Sequence, residues 1–468
     1  MDTLKIKLSA LSSINLSKGE PLRVIILFAV PLTIANLFQT LYATIDTIVV
    51  GKYVSTLALA SVGAATPVID LLLGLAIGLS GGLSIVIAQK VGSKNTKNIR
   101  RAIINGFYLI VITGIAVMFF GLSLNRTLFE IINVSDELMS GTLTYSTIIF
   151  TGLIFASVYN YESAILRAHG NSVVPLLFLI LSAVLNVILD LFFVIVLQMG
   201  IAGVALATII SELICCILCY IYMKEKLDIL VFDRDDCAFR FDYIKEQVKV
   251  GLPMAFFQSL LAVSFLVVQS ALNTLGSDEI AAYTVAYKMD SLMMQTLSGF
   301  GTAVSIFSAQ NYGNNSFDRI RLGAKSMLKI TVALSLTVMI FAQIFSEQFM
   351  LLFVNSSETD IIRLGVQYIS FTSCCYFILG INFIVRFVLT GIGQSSVPLG
   401  VGILEVIVRC LGTYYLVYPL GFAGMVYINP LCWGTSTFLI ICSYPFLLRR
   451  SFKKKLALNF TDSIHIEK

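Results

Sequence analysis

Residues 84–92 read SIVIAQKVG, and residues 305–313 read SIFSAQNYG. Each stretch closes an apolar run and leads into a basic segment. Three further pairs keep the same order: VPLTIANLFQ from Val30 with LPMAFFQSLL from Leu252, GNSVVP from Gly170 with GQSSVP from Gly393, and GIAGVA from Gly200 with GFAGMV from Gly421. Four ordered matches at one spacing of about 220 residues mark an internal duplication. The longest hydrophilic stretch, 224–246, separates the two copies and reads as a linker.

Working outward from that repeat, 57% apolar and 13% charged residues with a mean hydropathy of +0.89 exclude an ordinary soluble protein. The apolar runs are continuous rather than alternating, which disfavours a β-barrel. At about 20 residues per crossing the chain holds roughly twelve helices. The polar breaks place them at 23–51, 57–90, 101–124, 139–168, 172–198, 201–223, 247–275, 279–312, 323–346, 361–391, 397–418 and 421–448. The expected fold is therefore an all-α polytopic membrane protein of twelve transmembrane helices in two pseudo-symmetric six-helix lobes. Its parts are an N-terminal segment (1–22), a first lobe (23–223), a linker (224–246), a second lobe (247–448) and a basic tail (449–468). Six spans per copy give the repeats one orientation, related by an axis along the membrane normal around a central cavity.

The net charge of +5 sits in short loops, where retention of basic residues on the cytoplasmic side is the simplest cause and nucleic acid need not be invoked. Lys5, Lys7, Lys18 and Arg23, then Lys90, Lys94, Lys97, Arg100 and Arg101, then Arg319, Arg321 and Lys325, then the 449–455 cluster alternate with acidic or nearly neutral loops. That pattern puts both termini in the cytoplasm of a multi-pass protein of the cell (plasma or inner) membrane. Of nine cysteines, eight lie within apolar runs, so reduced thiols are expected. With His169 and His465 the chain's two histidines, no zinc, haem or other resident cofactor is expected.

Charged and amide side chains at bilayer depth are costly and face interiors, so each is a functional candidate. In the first span Asn36, Gln39, Ala43 and Asp46 share one helical stripe. In the fifth, Ser182, Asn186 and Asp190 form another, and Thr208 reaches similar depth in the sixth. Carboxylate, amide and hydroxyl oxygens from three helices suit a small hard cation such as Na+, and neighbouring buried carboxylates suit proton carriage. Glu162 and Glu212 are further acids nearby. The second copy is endowed differently. Lys288, Asp290 and Gln295 lie in span 8, Arg386 in span 10, and Glu405 and Arg409 one turn apart in span 11, where a structural ion pair is the alternative to a functional role. Counterparts of Asp46 and Asp190 at a spacing of about 222 are Val268 or Gln269, and Thr413, which confines cation coupling to the first lobe. Tyr42, Phe256, Phe257, Met289, Met293 and Met294 offer aromatic faces and thioethers for flat organic cations, although packing is their commoner role. Pro31 is the best-placed hinge. The Gly74–Gly78–Gly82 spacing reads as close helix packing, not a phosphate loop.

These motifs together resemble the multidrug and toxic compound extrusion (MATE) transporters over residues 19–450. The resemblance rests on PLTIANLFQTLYATIDTIVVGK in span 1, AQKVGSKN after span 2, AILRAHGNSVVP between spans 4 and 5, LNVILD in span 5, GIAGVALAT opening span 6, and GSDEIAAYTVAYKMD through GFGTAVSIFSAQN in span 8. The second-half motifs look most like the bacterial branch with DinF-like and MepA-like exporters. The resemblance implies a V-shaped pair of lobes that expels organic, often cationic, compounds by H+ or Na+ antiport. It adds Asn160 to a cation site with Asp46, Asn186, Asp190 and Thr208. The other residues just named, Asn36, Gln39, Tyr42, Phe256, Lys288, Asp290, Met293, Gln295, Arg386, Glu405 and Arg409, are candidates for the substrate cavity. Some relatives place an acid in span 7, and this chain has none between Gly251 and Gly276. A flippase of lipid-linked precursors would need extra spans and a strongly basic cavity. A membrane enzyme would need a nucleophile, base or metal cluster, and an ATP-driven pump a phosphate-binding loop. The expected entity is a monomeric, non-enzymatic transporter.

Overall fold

The computed structural model describes residues 13–466, giving the backbone alone for 41–47 and 458–466. Among the described residues the regular structure is helical throughout. In chain order the long helices are α1 (Pro21–Tyr53), α2 (Thr56–Ser93), α3 (Thr96–Ser123), α4 (Asp136–Ala168), α5 (Val173–Leu191), α6 (Gly200–Lys226), α7 (Phe241–Leu272), α8 (Ser277–Gly313), α9 (Phe317–Leu351), α10 (Thr359–Ser373 and Tyr376–Gly391), α11 (Ser396–Gly412) and α12 (Phe422–Ile466). Ten are apolar and long enough to cross a bilayer, and the halves of α10, bent by 48° between them, make an eleventh span. Helix α8 has the length, 37 residues, but carries more polar side chains, among them the buried Asp290, Gln310 and Asn311. Large apolar side chains such as Phe119 (60% exposed) and Phe438 (72%) point outward, which suits lipid and not water.

The duplication is written into the backbone. Left-handed residues at the breaks between helices recur in pairs: Lys94 and Asn315 (φ 59° each), Gly170 and Gly393 (83° and 86°), Gly200 and Gly421 (58° and 59°). Helices α5 and α11 each run into a π-helical turn, Phe192–Val196 and Thr413–Val417. Ser55 and Asn95 cap α2 and α3 by accepting the amides of Ala58 (3.0 Å) and Asn98 (3.1 Å), satisfying donors that a helix start leaves free.

The chain forms two compact units. One contains Ile34–Ala262 and the residues just before Leu16; the other contains Leu16–Thr33 and the chain from Val263 onward. The change of unit thus falls inside α1, two residues beyond Pro31, and inside α7, rather than in the charged stretch 224–246. The end of that stretch is itself helical, since α7 begins at Phe241. Helix α12 likewise runs well past the expected end of its span.

In the first unit α2 and α7 meet at glycines. A Cβ on Gly78 would lie 2.6 Å from the Ala255 Cα, and one on Gly82 would strike the backbone of Gly251. The small-residue spacing therefore does serve helix packing. Residues 233–240 are tied to the start of α3. Asp235 receives Arg101 (2.6 Å) and Lys97 (3.1 Å), and also Arg240, while Asp236 faces Arg100 (3.7 Å). Asn105 accepts the Arg240 amide (2.8 Å), and Lys90 pairs with Glu246 (2.8 Å). In the second unit Arg319 and Asn311 hold the carbonyls of Leu16 and Gly19, just ahead of α1.

Hydrogen bonds from Lys97 and then Arg101 hold the Asp235 carboxyl down at about 2. Its unfolded value is about 3.9, so its contribution is full above that pH and is lost only as pH falls through about 2. Tryptic cleavage at Arg234 and Arg240, taken relative to an unfolded peptide of the same sequence to remove trypsin's own pH dependence, is accordingly expected to stay slow and constant from pH 8 to pH 5, and Asp235→Asn to accelerate it throughout that range. Gly82→Leu should destabilise the first unit by roughly 1–3 kcal/mol through overpacking, lowering the thermal midpoint in detergent; an unchanged midpoint would refute the close approach.

Candidate functional site

Helix α5 buries the stripe expected of it. Ser182, Asn186 and Asp190 are buried, the last two completely, while Leu181, Val184 and Ile188 on the other faces are exposed. Asn186 Nδ2 donates to Thr208 Oγ1 on α6 at 3.3 Å, and that hydroxyl donates to the Val204 carbonyl at 3.1 Å. Asp190 follows Asn186 by one turn, immediately before the π turn at Phe192. Such a turn widens the backbone locally and recurs at functional positions. Two of the expected oxygen donors are thus joined directly, and Asp190 shares their face. Asn160 on α4 turns its amide back to the Ala156 carbonyl (2.9 Å) and is half-buried. The side chains of Asp46 and Tyr42 lie outside the described residues. Glu162 is buried and Glu212 half-buried.

In the second unit the polar residues form a different object. Asp290 on α8 is completely buried. Its carboxylate accepts from the Tyr368 and Tyr376 hydroxyls, 2.7 Å each, and from Asn429 Nδ2 at 3.1 Å. Asn429 Nδ2 also reaches the Tyr368 hydroxyl (2.8 Å), and its Oδ1 accepts Arg409 Nη1 at 2.9 Å. Because a guanidinium only donates, Arg409 fixes which way the Asn429 amide faces. Nδ2 must then point at Asp290 and Tyr368. An asparagine on α12 therefore bridges a buried acid on α8 and a buried base on α11. The Arg409 guanidinium also lies 4.8 Å from the Phe265 ring.

The one-turn spacing of Glu405 and Arg409 suggests an ion pair, but none forms between them. Arg409 is drawn to Asn429 instead, and Glu405 stays buried within electrostatic range of Arg386 and Arg409. Arg386 is itself buried over the rings of Phe383 (4.6 Å) and Phe387 (5.5 Å). Lys288 is exposed, its ammonium 5.8 Å from the Phe353 ring. Met289 and Met293 are buried in the apolar core of this unit. Phe257 is buried and Phe256 half-exposed. Asn36 and Gln295 are partly buried and Gln39 is exposed. All nine cysteines are free thiols.

Sequence reading found Asp290 and Arg409 but missed Tyr368, Tyr376 and Asn429. Asn429 carried a signal, an amide in an apolar run beside Pro430. The tyrosines carried none, because a phenol in a membrane helix looks like packing until its hydroxyl has a partner.

Removing the bridge takes one donor from the Asp290 carboxyl and leaves Arg409 Nη1 buried without its acceptor. Asn429→Leu should therefore cost about 2 kcal/mol or more, and Tyr376→Phe, which removes one of three donors, about 1 kcal/mol. Thermal unfolding in detergent measures both, and equal midpoints for the two variants would refute the bridging role.

The MatE family model matches the chain twice, over residues 31–192 and 253–415. The probable multidrug resistance protein YpnP of Bacillus subtilis is 25% identical over 408 residues, covering 86% of this chain and 88% of that protein. The multidrug export protein MepA of Staphylococcus saprophyticus is 22% identical, with 86% and 88% covered. Among solved structures, an outward-facing multidrug resistance MATE family transporter of the MOP superfamily superposes with a TM-score of 0.86 at 22% identity, over 93% of this chain and 98% of that one. The two matches take in α5 with Asn186 and Asp190 in the first half and α8 to α11 with Asp290, Tyr368, Tyr376 and Arg409 in the second, and the chain belongs to the MatE family.

Proposed function

We propose that this protein is a secondary active multidrug efflux transporter that exports organic, often cationic, compounds by alternating access in exchange for H+ or Na+. The observation that carries the reading is the double match of the MatE family model, one in each half, supported by relatives named as multidrug export and resistance proteins. Transport and not catalysis is the activity. It takes place in the cell membrane, with both termini cytoplasmic and the chain acting as a monomer.

Coupling is assigned to Asp46, Asn160, Asn186, Asp190 and Thr208. The Asn186–Thr208 bond and the burial of Asp190 on the same face support that assignment. An interhelical hydrogen bond within a membrane is worth only about 0.6 kcal/mol on average. Stability alone is therefore a weak reason to sink an amide, a hydroxyl and a carboxylate at one level. The acids Glu162 and Glu212 nearby favour the proton. The second unit takes no part in coupling, because no acid stands at its counterparts of Asp46 and Asp190, and its buried acids are otherwise engaged, Asp290 with Tyr368, Tyr376 and Asn429 and Glu405 within range of Arg386 and Arg409. Substrate contact is assigned to Asn36, Gln39, Tyr42 and Phe256 in the first unit and, in the second, to Lys288, Asp290, Met293, Gln295, Arg386, Glu405 and Arg409. Pro31 acts as the hinge, and its place near the point where α1 changes unit supports that role.

Ethidium efflux from proteoliposomes under an imposed pH gradient, and separately under an imposed sodium gradient, tests this reading. Wild type is expected to respond to the proton gradient. Asp46→Asn and Asp190→Asn should fall to the level of empty vesicles while keeping their thermal midpoints. Undiminished efflux in both variants would overturn the coupling assignment.

A further inference from the structure

Helix α12 runs for 45 residues, whereas about 20 suffice to cross the hydrocarbon. Its final third therefore continues past the bilayer core, and that continuation has two distinct faces. Leu448, Ser451 and Phe452 are buried at helical spacing. Phe452 stacks on Phe317 at 4.3 Å between ring centroids, Tyr312 donates its hydroxyl to the Ser451 carbonyl (3.2 Å), and Gln394 donates to Ser451 Oγ (2.8 Å). The continuation is thus clamped to the turn between α8 and α9 and to the end of α10.

The other face carries Arg449, Arg450, Lys453 and Lys454, all exposed. Among the described residues none of the four forms an ion pair. The first unit treats its basic cluster in the opposite way. There Lys90, Lys97, Arg100, Arg101 and Arg240 are met by Asp233, Asp235, Asp236 and Glu246. Four cations spread over about 8 Å of rigid helix, at the level where the bilayer core gives way to headgroups, match the spacing and charge of lipid phosphates.

We infer that the exposed face of α12 formed by Arg449, Arg450, Lys453 and Lys454 binds anionic phospholipid headgroups, holding the end of the second unit to the membrane surface. The inference rests on the membrane reading of the fold and not on the coupling assignment. Each basic residue beside an anionic surface contributes roughly a fivefold factor in binding, so the set should distinguish anionic from zwitterionic lipid strongly.

The test uses the purified full chain in detergent, mixed with phosphatidylglycerol or phosphatidylcholine, with retained lipid counted by native mass spectrometry. Wild type should retain phosphatidylglycerol preferentially. R449Q/R450Q/K453Q/K454Q should lose that retention by roughly tenfold or more, and K52Q/K94Q/K224Q/K226Q, which removes the same charge elsewhere, should keep it. Thermal midpoints without added lipid should agree, since the four side chains are exposed. Equal loss in both variants, undiminished retention in the first, or displacement of the lipid by inorganic phosphate alone would overturn the inference.

Discussion

A helix in hydrocarbon has no water to pair with, so the amide and acidic side chains that it turns inward are best met by its own backbone or by a neighbouring helix. That constraint organises both units. In the first it draws Asn186 to Thr208. In the second it assembles Asp290, Tyr368, Tyr376, Asn429 and Arg409 from α8, α10, α11 and α12 into one hydrogen-bonded set. The apolar surface turned outward is simply the complement of these interiors.

The two halves share a backbone and differ in chemistry. Left-handed residues between helices and π turns fall at matching positions, so the duplicated frame was retained through sequence divergence. What was placed on it diverged: the first half buries an acid beside the π turn of α5, while the second puts Thr413 at the start of the matching turn. Of its buried acids, Asp290 lies on α8, tied through Asn429 to an arginine, and Glu405 lies on α11. The second half thus holds a fixed hydrogen-bonded set in which Asn429 joins Asp290 to Arg409, and the proposal of ion exchange concerns the first half alone.

Nearly all of the helical frame was legible in the sequence, because long apolar runs, glycines and prolines report directly on spans and turns. The bend in α10 was not: it falls at Cys374 and Cys375, with no proline or glycine to announce it. The continuation of α12 was hidden because hydropathy stops at the first arginines while helical hydrogen bonding does not. The passage of α1 and α7 from one unit to the other depends on packing between distant segments, which no local pattern encodes. Among the polar residues, the stripe of α5 was readable from its four-residue period. Glu405 and Arg409 misled, since spacing shows which side chains can meet and not which partner competes for them. Asn429, on a different helix, won that competition.

Coupling through the buried oxygens of the first unit is tested most directly by charge movement on a solid-supported membrane after a proton or sodium concentration jump, with no drug present. A transient current is expected in the wild type and in Asn429→Gln, and none in Asp190→Asn. A current of undiminished size in Asp190→Asn would contradict ion exchange at that carboxylate.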